Sequence, residues 1–361
     1  PPGGGDVSMQ LYTSGTTGLP KGAQLTNDNF KTLFQIVEWQ MDDDSVNMAV
    51  MPLFHIAGSG WALFGMANGA VTVMMREFDP VAGLQIVESE GCTHAIFVPA
   101  ILQFFLMVPS DGIDLSSMQY VAYGASPITE DVLVKSMAQF GCSFFQVYGM
   151  TETTGAGTTL PPEDHGEGAD PGLLRSAGRP IRGMEMKIVD PETGEPVPDG
   201  EVGEICIRTV ANFLGYWDNR EATKQAFTDD MYFRTGDLGR LDEDGYLFIV
   251  DRKKDIIIRG GENISCLEVE EAIYAHDAIA ECSVFGLPDD RYGEIVGAVY
   301  QTKDGANLSE AELAAFLETK LPPFKRPAHI WQEADSLPRL GTQKIDRRTL
   351  RTKYAALHTG T

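Results

Sequence analysis

The segment from Tyr12 to Gly22, Y-T-S-G-T-T-G-L-P-K-G, gathers five hydroxyl side chains, three glycines and one lysine in eleven residues just after an apolar run. Small and hydroxylated residues between a strand and a helix let backbone N–H groups and hydroxyls face phosphate oxygens, and a lysine adds a point charge. The chemistry read from this segment is a phosphate cradle; the plainer alternative is a solvated surface loop. It is not the G-x-x-x-x-G-K-[ST] nucleotide loop, because the spacing from Gly15 to Lys21 differs and Gly22 stands where a metal-binding hydroxyl follows the lysine.

Composition sets the frame for that chemistry. A chain of 361 residues that is 43% hydrophobic is too long for one small core and implies two or more domains. A formal net charge of -24 argues against a nucleic-acid or acidic-membrane binder, so a polyanionic ligand needs a local cluster that overcomes the mean field. Cys92, Cys142, Cys206, Cys266 and Cys282 are far apart, show no C-x-x-C spacing and are odd in number. Reduced thiols in a cytoplasmic protein are the reading. No signal peptide is expected, and a start at Pro1 rather than Met implies that the natural N-terminus is absent. The uncharged stretch from 56 to 75 is long enough to span a bilayer, but Gly58, Gly60, Gly65, Asn68 and Gly69 break it into a helix and a separate strand. No transmembrane segment is expected.

The elements that must position the cradle follow from periodicity. Ser8 to Thr13 reads as a strand and Thr26 to Met41 as a helix, with Phe30, Leu33, Phe34, Val37 and Met41 on one face. Strands are expected at 70–75, 94–98, 120–123 and 143–148, and helices at 80–90 and 128–140. Such alternation predicts an α/β fold with a parallel sheet and crossover helices, its ligands at the carboxyl ends of the strands. From about residue 180 the pattern becomes antiparallel, with pairs 185–190/204–208 and 238–241/246–250. After Lys254 a mixed α+β region is expected, with capping boxes at Ser265–Glu268 and Ser309–Glu312 and strands near 280–285 and 295–301. The domains are accordingly 1–179, an antiparallel β subdomain 180–252, and a C-terminal domain 253–361.

The Tyr12–Gly22 segment resembles the signature loop of the adenylate-forming superfamily, which contains acyl-CoA synthetases, luciferases and peptide-synthetase adenylation domains. Seven further matches follow in the family's order: P-L-F-H-I-A-G at 52–58, Y-G-A-S-P at 123–127, Y-G-M-T-E at 148–152, Y-F-R-T-G-D at 232–237, D-R-K-K-D at 251–255, G-G-E-N-I at 260–264 and P-R-L-G-T-Q-K at 338–344. They cover essentially the whole chain. Two departures stand out. Family members carry a large N-terminal subdomain ahead of the loop, where this chain has eleven residues, which implies a fragment lacking that part. The family's usual glycine before the last lysine is replaced by Gln343, which implies a changed bend.

The resemblance implies roles. Thr13, Ser14, Gly15, Thr16, Thr17, Gly18 and Lys21 hold the β and γ phosphates of ATP, Thr151 the α-phosphate, and Glu152 a Mg2+ ion; Glu152 alone reads as an ordinary helix-start acid. Gly124, Ala125 and Ser126 pass close to the adenine, Tyr148 stacks on it, Asp237 accepts from both ribose hydroxyls and Arg252 adds a ribose or phosphate contact, against the plainer readings of Asp237 as a turn residue and Tyr148 as a core aromatic. Lys344 bridges the attacking carboxylate and the α-phosphate in catalysis, or is solvated surface in a basic tract. Lys254 is the hinge about which the C-terminal domain rotates, bringing Gly260 and Gly261 to line a tunnel for the CoA thiol. His55 sits at the family's gate to the acyl pocket. Amino-acid-activating relatives carry an aspartate after the residue matching Phe54, and its absence here turns the expectation to a hydrophobic acid, with pocket segments at 58–64, 98–106 and 149–159. The expected protein is an ATP-dependent, AMP-forming acyl-CoA synthetase using Mg2+ and CoA, with a homodimer left open. The rivals are delivery of the acyl group to a carrier protein, light-emitting oxidation, and a nucleotide-binding module without turnover.

Overall fold

The computed structural model describes residues 2–13, 20–166, 168–303 and 305–359. The chain divides into two compact units, Pro1–Thr235 with Gly239–Ile249, and Gly236–Leu238 with Val250–Thr361.

A seven-stranded sheet organises the first unit, in the order Val71–Met74, Val46–Ala49, His94–Phe97, Tyr120–Gly124, Ser143–Tyr148, Thr158–Leu160, Arg179–Pro180. The first five strands are parallel and the last two antiparallel. Each parallel step returns through a helix, as parallel pairing requires: Ile56–Ala67, Pro80–Glu90, Pro99–Leu106 and Glu130–Phe140. The expected helix at 80–90 is found to the residue because its ends are written locally. Asp79 caps the Ala82 N–H at 2.7 Å, Pro80 opens the first turn, and Gly91 closes the helix at φ 62°. Leu84, Phe97, Leu102, Phe105, Leu133 and Phe140 fill one continuous core.

The uncharged 56–75 stretch breaks at Gly69, φ 80°, into the expected helix and separate strand, Ile56–Ala67 and Val71–Met74, and among the described residues no helix is long and apolar enough to cross a membrane. Three differences from the sequence reading have physical reasons. The helix expected from Thr26 to Met41 ends at Ile36. Val37 turns extended, and Trp39 then packs edge-on to Phe64 at 5.1 Å and stacks with Phe145 at 5.8 Å, contacts that a continuing helix would not direct there. The helix Pro99–Leu106 was not expected. Its Ile101, Leu102 and Phe105 are core residues, so the apolar character read as an acyl pocket serves packing there. Finally, the strand Val46–Ala49 escaped notice because its Asn47, wholly buried, interrupts the apolar run while donating to the Trp61 carbonyl at 3.2 Å.

A three-stranded antiparallel sheet, Val7–Thr13, Lys21–Thr26 and Gly215–Tyr216, carries the hydroxyl-rich loop. The loop therefore joins two strands in register, Thr13 opposite Lys21, and not a strand to a helix. The following helix, Asn27–Ile36, starts only after the second strand. Glu185–Val189 and Gly203–Arg208 pair antiparallel as expected, in a four-stranded sheet continued by Phe233–Leu241 and Leu247–Arg252.

The second unit is α+β. Its sheet runs Glu262–Ile264, Ile257–Arg259, Gly293–Thr302, Ile279–Asp289, with His329–Gln332 parallel to Gly293–Thr302. The helices Cys266–Tyr274 and Glu310–Glu318 cover it around Ile264, Val269, Ile273, Val284, Leu313 and Leu317. Ser309 and Glu312 form the full capping box. At Ser265 only half forms: the hydroxyl accepts from the Glu268 N–H at 3.1 Å, while the Glu268 carboxylate turns to the Lys325 ammonium at 2.6 Å.

Candidate active site

In the first unit the geometry converges on Glu152. The strand Ser143–Tyr148 ends in Gly149 and a tight 3-10 turn over Thr151–Thr153. The turn is closed by the Met150 N–H donating to Thr153 Oγ1 at 3.1 Å and by Thr154, left-handed at φ 58°, donating through its hydroxyl to the Ala211 carbonyl at 2.6 Å. The Glu152 carbonyl accepts the Phe213 N–H at 2.8 Å. These bonds bury Thr151 and Glu152 and aim the carboxylate at the end of the hydroxyl-rich hairpin. Glu152 Oε1 accepts from the Tyr216 hydroxyl at 2.8 Å and from Thr13 Oγ1 at 3.3 Å. Lys21 Nζ lies over the Tyr216 ring, 5.1 Å from its centroid. Burial and the neighbouring Glu152 charge both push the Tyr216 phenol well above its ordinary value, so it stays a donor.

Thr13, Lys21, Thr151 and Glu152 thus lie together, with Tyr216 as a member that sequence reading missed. Tyr216 sits in L-G-Y-W, a tetrapeptide with no periodic or spacing signal; only the pairing of Gly215–Tyr216 with the Lys21–Thr26 strand brings it here. Ser14, Gly15, Thr16, Thr17 and Gly18 lie outside the described residues. Among the described residues no cluster of three His, Cys, Asp or Glu side chains forms a metal cage. A lone carboxylate flanked by hydroxyls fits an ion that arrives with a nucleotide, since Mg2+ is commonly taken by one or two carboxylates plus substrate phosphates.

Gly124 ends its strand where a Cβ would stand 2.0 Å from the Val147 carbonyl oxygen, so only glycine fits. Ala125 follows at φ 66°, turning the chain sharply before Ser126. Tyr148 is 8% exposed and packs with Ala177, Ile188, Ile205, Ile207 and Leu247, a core placement. His55 caps the helix Ile56–Ala67, its Nδ1 accepting the Ala57 N–H at 3.2 Å.

In the second unit a separate set gathers around Asp237, which is buried. Arg252 Nε is 3.4 Å from Asp237 Oδ1. The Lys253 N–H donates to the Gly236 carbonyl at 2.9 Å and ties the two segments together. Burial, then the like charge of Arg252, pushes Lys344 down to about 8 against the pull of Asp237. Burial and Arg252 also lower Lys254. Asp237, Arg252, Lys254 and Lys344 therefore form one electrostatic cluster, although they are spread over more than a hundred positions. Lys344 rides on a short hairpin in which Gln343 adopts φ 66°. The glutamine takes a left-handed conformation that a glycine adopts freely, at an expected cost of about 1 kcal/mol. Gly260 and Gly261 form the turn between Ile257–Arg259 and Glu262–Ile264, at φ 59° and 92°. A Cβ on Gly261 would meet nothing within 4 Å.

Known proteins carry the same organisation. The profile of the AMP-binding enzyme matches residues 1–217, and that of the AMP-binding enzyme C-terminal domain matches 268–344. The chain is 38% identical, over 96% of its length and 67% of the relative's, to a fatty acid–[acyl-carrier-protein] ligase, ScoC, of Streptomyces coeruleorubidus. It is 37% identical to a feruloyl-CoA synthase of an Amycolatopsis species, covering 98% of this chain and 71% of that one. It is 36% identical to the medium/long-chain-fatty-acid–CoA ligase FadD8 of Mycobacterium tuberculosis, covering 95% and 60%. These relatives are longer, and the chain spans between 60% and 71% of their lengths. Among solved structures, ATP-bound MatB from Rhodopseudomonas palustris matches with a TM-score of 0.90 at 32% identity, over 99% of this chain and 70% of that one.

The family profile and the relatives are those of AMP-forming acid–thiol ligases. The chain belongs to the AMP-binding enzymes of the adenylate-forming superfamily.

Proposed function

We propose that this protein adenylates a hydrophobic carboxylic acid with ATP and passes the acyl group to the thiol of CoA. The observation that carries the reading is the gathering of Arg252, Lys254 and Lys344 about Asp237 in a protein of net charge -24. Like charges brought together oppose folding, and two anionic substrates are what such a cluster suits. In the first step a carboxylate oxygen attacks the α-phosphorus, and the bridging bond to the β-phosphate breaks to release pyrophosphate. Lys344 balances the charge that builds there. Thr13, Lys21 and Thr151 hold phosphate oxygens, Asp237 and Arg252 the ribose, and the Gly124–Ser126 turn the base, above the floor that Tyr148 helps to form. Glu152 would hold Mg2+, which neutralises charge on the phosphates when bound. In the second step a thiol sulfur attacks the acyl carbon, AMP leaves and the thiol proton goes to solvent. Lys254 is the pivot of the change between steps, Gly260 and Gly261 flank the path of the thiol, and His55 borders the acyl group.

Hydrophobic substrates are supported by relatives named for fatty acids and for feruloyl-CoA. A carrier-protein thiol is the second reading, favoured by the acyl-carrier-protein ligase among those relatives. The test is pyrophosphate release and thioester formation in the intact protein with octanoate, palmitate, ferulate and 4-coumarate, supplying CoA and a pantetheinylated carrier separately. The expected result is release with at least one acid and a CoA thioester. Lys344→Ala is expected to lower adenylation by roughly 100- to 1,000-fold. Unaltered adenylation in that variant sinks the assignment, and nucleotide binding without pyrophosphate favours a module without turnover.

A further inference from the structure

The hairpin that carries Lys344 is held from below by a buried charge. Its start is pinned by Leu337, buried among Phe285, Leu287, Val299 and Leu350. Glu281, buried on the strand Ile279–Asp289, accepts the Leu337 N–H at 3.3 Å through Oε2, and its Oε1 pairs with Arg339 Nη2. The other nitrogen of that guanidinium, Nη1, donates to the Gln343 carbonyl at 2.6 Å. Around this fork the hairpin closes by backbone bonds: Leu340 N–H to the Lys344 carbonyl at 2.8 Å, Gln343 N–H to Leu340 at 2.9 Å, and Asp346 N–H to Pro338 at 2.7 Å.

The bond to Gln343 matters because of where it falls. Gln343 stands in the left-handed region, which an L-residue leaves when nothing holds it. Fixing its carbonyl fixes the plane of the Gln343–Lys344 peptide, and so the direction in which the lysine side chain departs. A planar fork can hold Glu281 and Gln343 at once; an ammonium is a point charge that holds one partner well.

We infer that Arg339 and Glu281 are positioning residues of the adenylation step, Glu281 orienting the Arg339 fork and the fork setting the peptide from which Lys344 projects. This rests on the role proposed above for Lys344. Glu281 acts from the core strand and Arg339 from the root of the hairpin, neither as a group in the chemistry.

Arg339→Lys in the intact protein is the test, because it keeps a cation beside the buried Glu281 while giving up the double hold. Unfolding temperature is read alongside and is expected to stay within a few degrees. ATP–pyrophosphate exchange with the best acid of the panel is expected to fall about 100-fold, in kcat more than in KM for ATP. Thioester formation from the synthetic acyl-adenylate and CoA is expected to stay within about twofold, since that step does not use Lys344. Exchange that is unchanged, or both half-reactions falling together, overturns the inference. Competitive acetylation of Lys344, read by mass spectrometry across pH, needs no substrate: its midpoint is expected to rise toward that of free lysine in Arg339→Lys and in Glu281→Gln. An unchanged midpoint also overturns the inference. A wild-type protein that exchanges pyrophosphate but forms no CoA thioester defeats the proposed acceptor and leaves the exchange and acetylation results to decide this point.

Discussion

Lys344 is where residue chemistry is most exposed to measurement. Burial and Arg252 bring its ammonium down to about 8, so in the free protein the cation is present below that pH and lost above it. A role in balancing phosphate charge requires the cation. The kcat/KM for adenylation, which reports the free protein, is therefore expected to fall about tenfold between pH 7 and 9. Bound phosphates favour the cation, so the limb in kcat lies higher. A flat kcat/KM profile up to pH 9.5 would remove Lys344 from the step. At this scale the motifs were informative. Thr13, Lys21, Thr151 and Glu152 were named from the family resemblance; Thr13 donates to the Glu152 carboxylate, Lys21 lies over the Tyr216 ring whose hydroxyl also donates to it, and Thr151 is the buried residue beside it. Tyr216 was not, because a tyrosine in L-G-Y-W has no feature that separates it from a core aromatic until the Gly215–Tyr216 strand pairs.

Elements decide where those residues stand. Gly124 faces Val147 across a parallel pair, and a Cβ there would sit 2.0 Å from the Val147 oxygen. Gly124→Ala must push the two strands apart or shift the turn that follows. A loss of about 1–3 kcal/mol is expected in thermal or denaturant unfolding, together with a raised KM for ATP. A variant with unchanged stability would show that the close approach is relaxed in solution. The helix at 80–90 was legible because Asp79, Pro80 and Gly91 are local signals that need no partner. The end of the helix at Ile36 was not, because it depends on Trp39 reaching Phe64 and Phe145, which lie far away in sequence. The glycine-rich hairpin was misjudged for a related reason: the apolar face of Asn27–Ile36 marks a helix, but nothing in the sequence shows that Lys21–Thr26 first pairs as a strand.

For the whole molecule, each unit has its own apolar interior, the first around Leu84, Phe97 and Phe105 and the second around Ile273, Leu313 and Leu317. Calorimetry is expected to resolve more than one transition, as is common in chains with separate cores. Leu313→Ala is expected to cost about 2–5 kcal/mol and to lower the transition of the second unit by roughly 10 °C or more, leaving the other in place. One transition moving as a whole would contradict this. The same scale explains how so acidic a chain can serve anionic substrates: the mean field repels them, and a few fixed cations act at short range, where screening is weakest.

By itself the sequence determined the order of the motifs, the alternation that makes a parallel sheet, and the caps that start and stop several helices, because each of these depends on neighbours within a few residues. Tertiary structure alone decided that Tyr216 meets Glu152, that Arg252 and Lys344 share the field of Asp237, and that Glu281 reaches under the Lys344 hairpin. Those contacts join positions tens to more than a hundred residues apart. Hydrogen bonds and charge act through distance in space, and only the folded chain sets that distance.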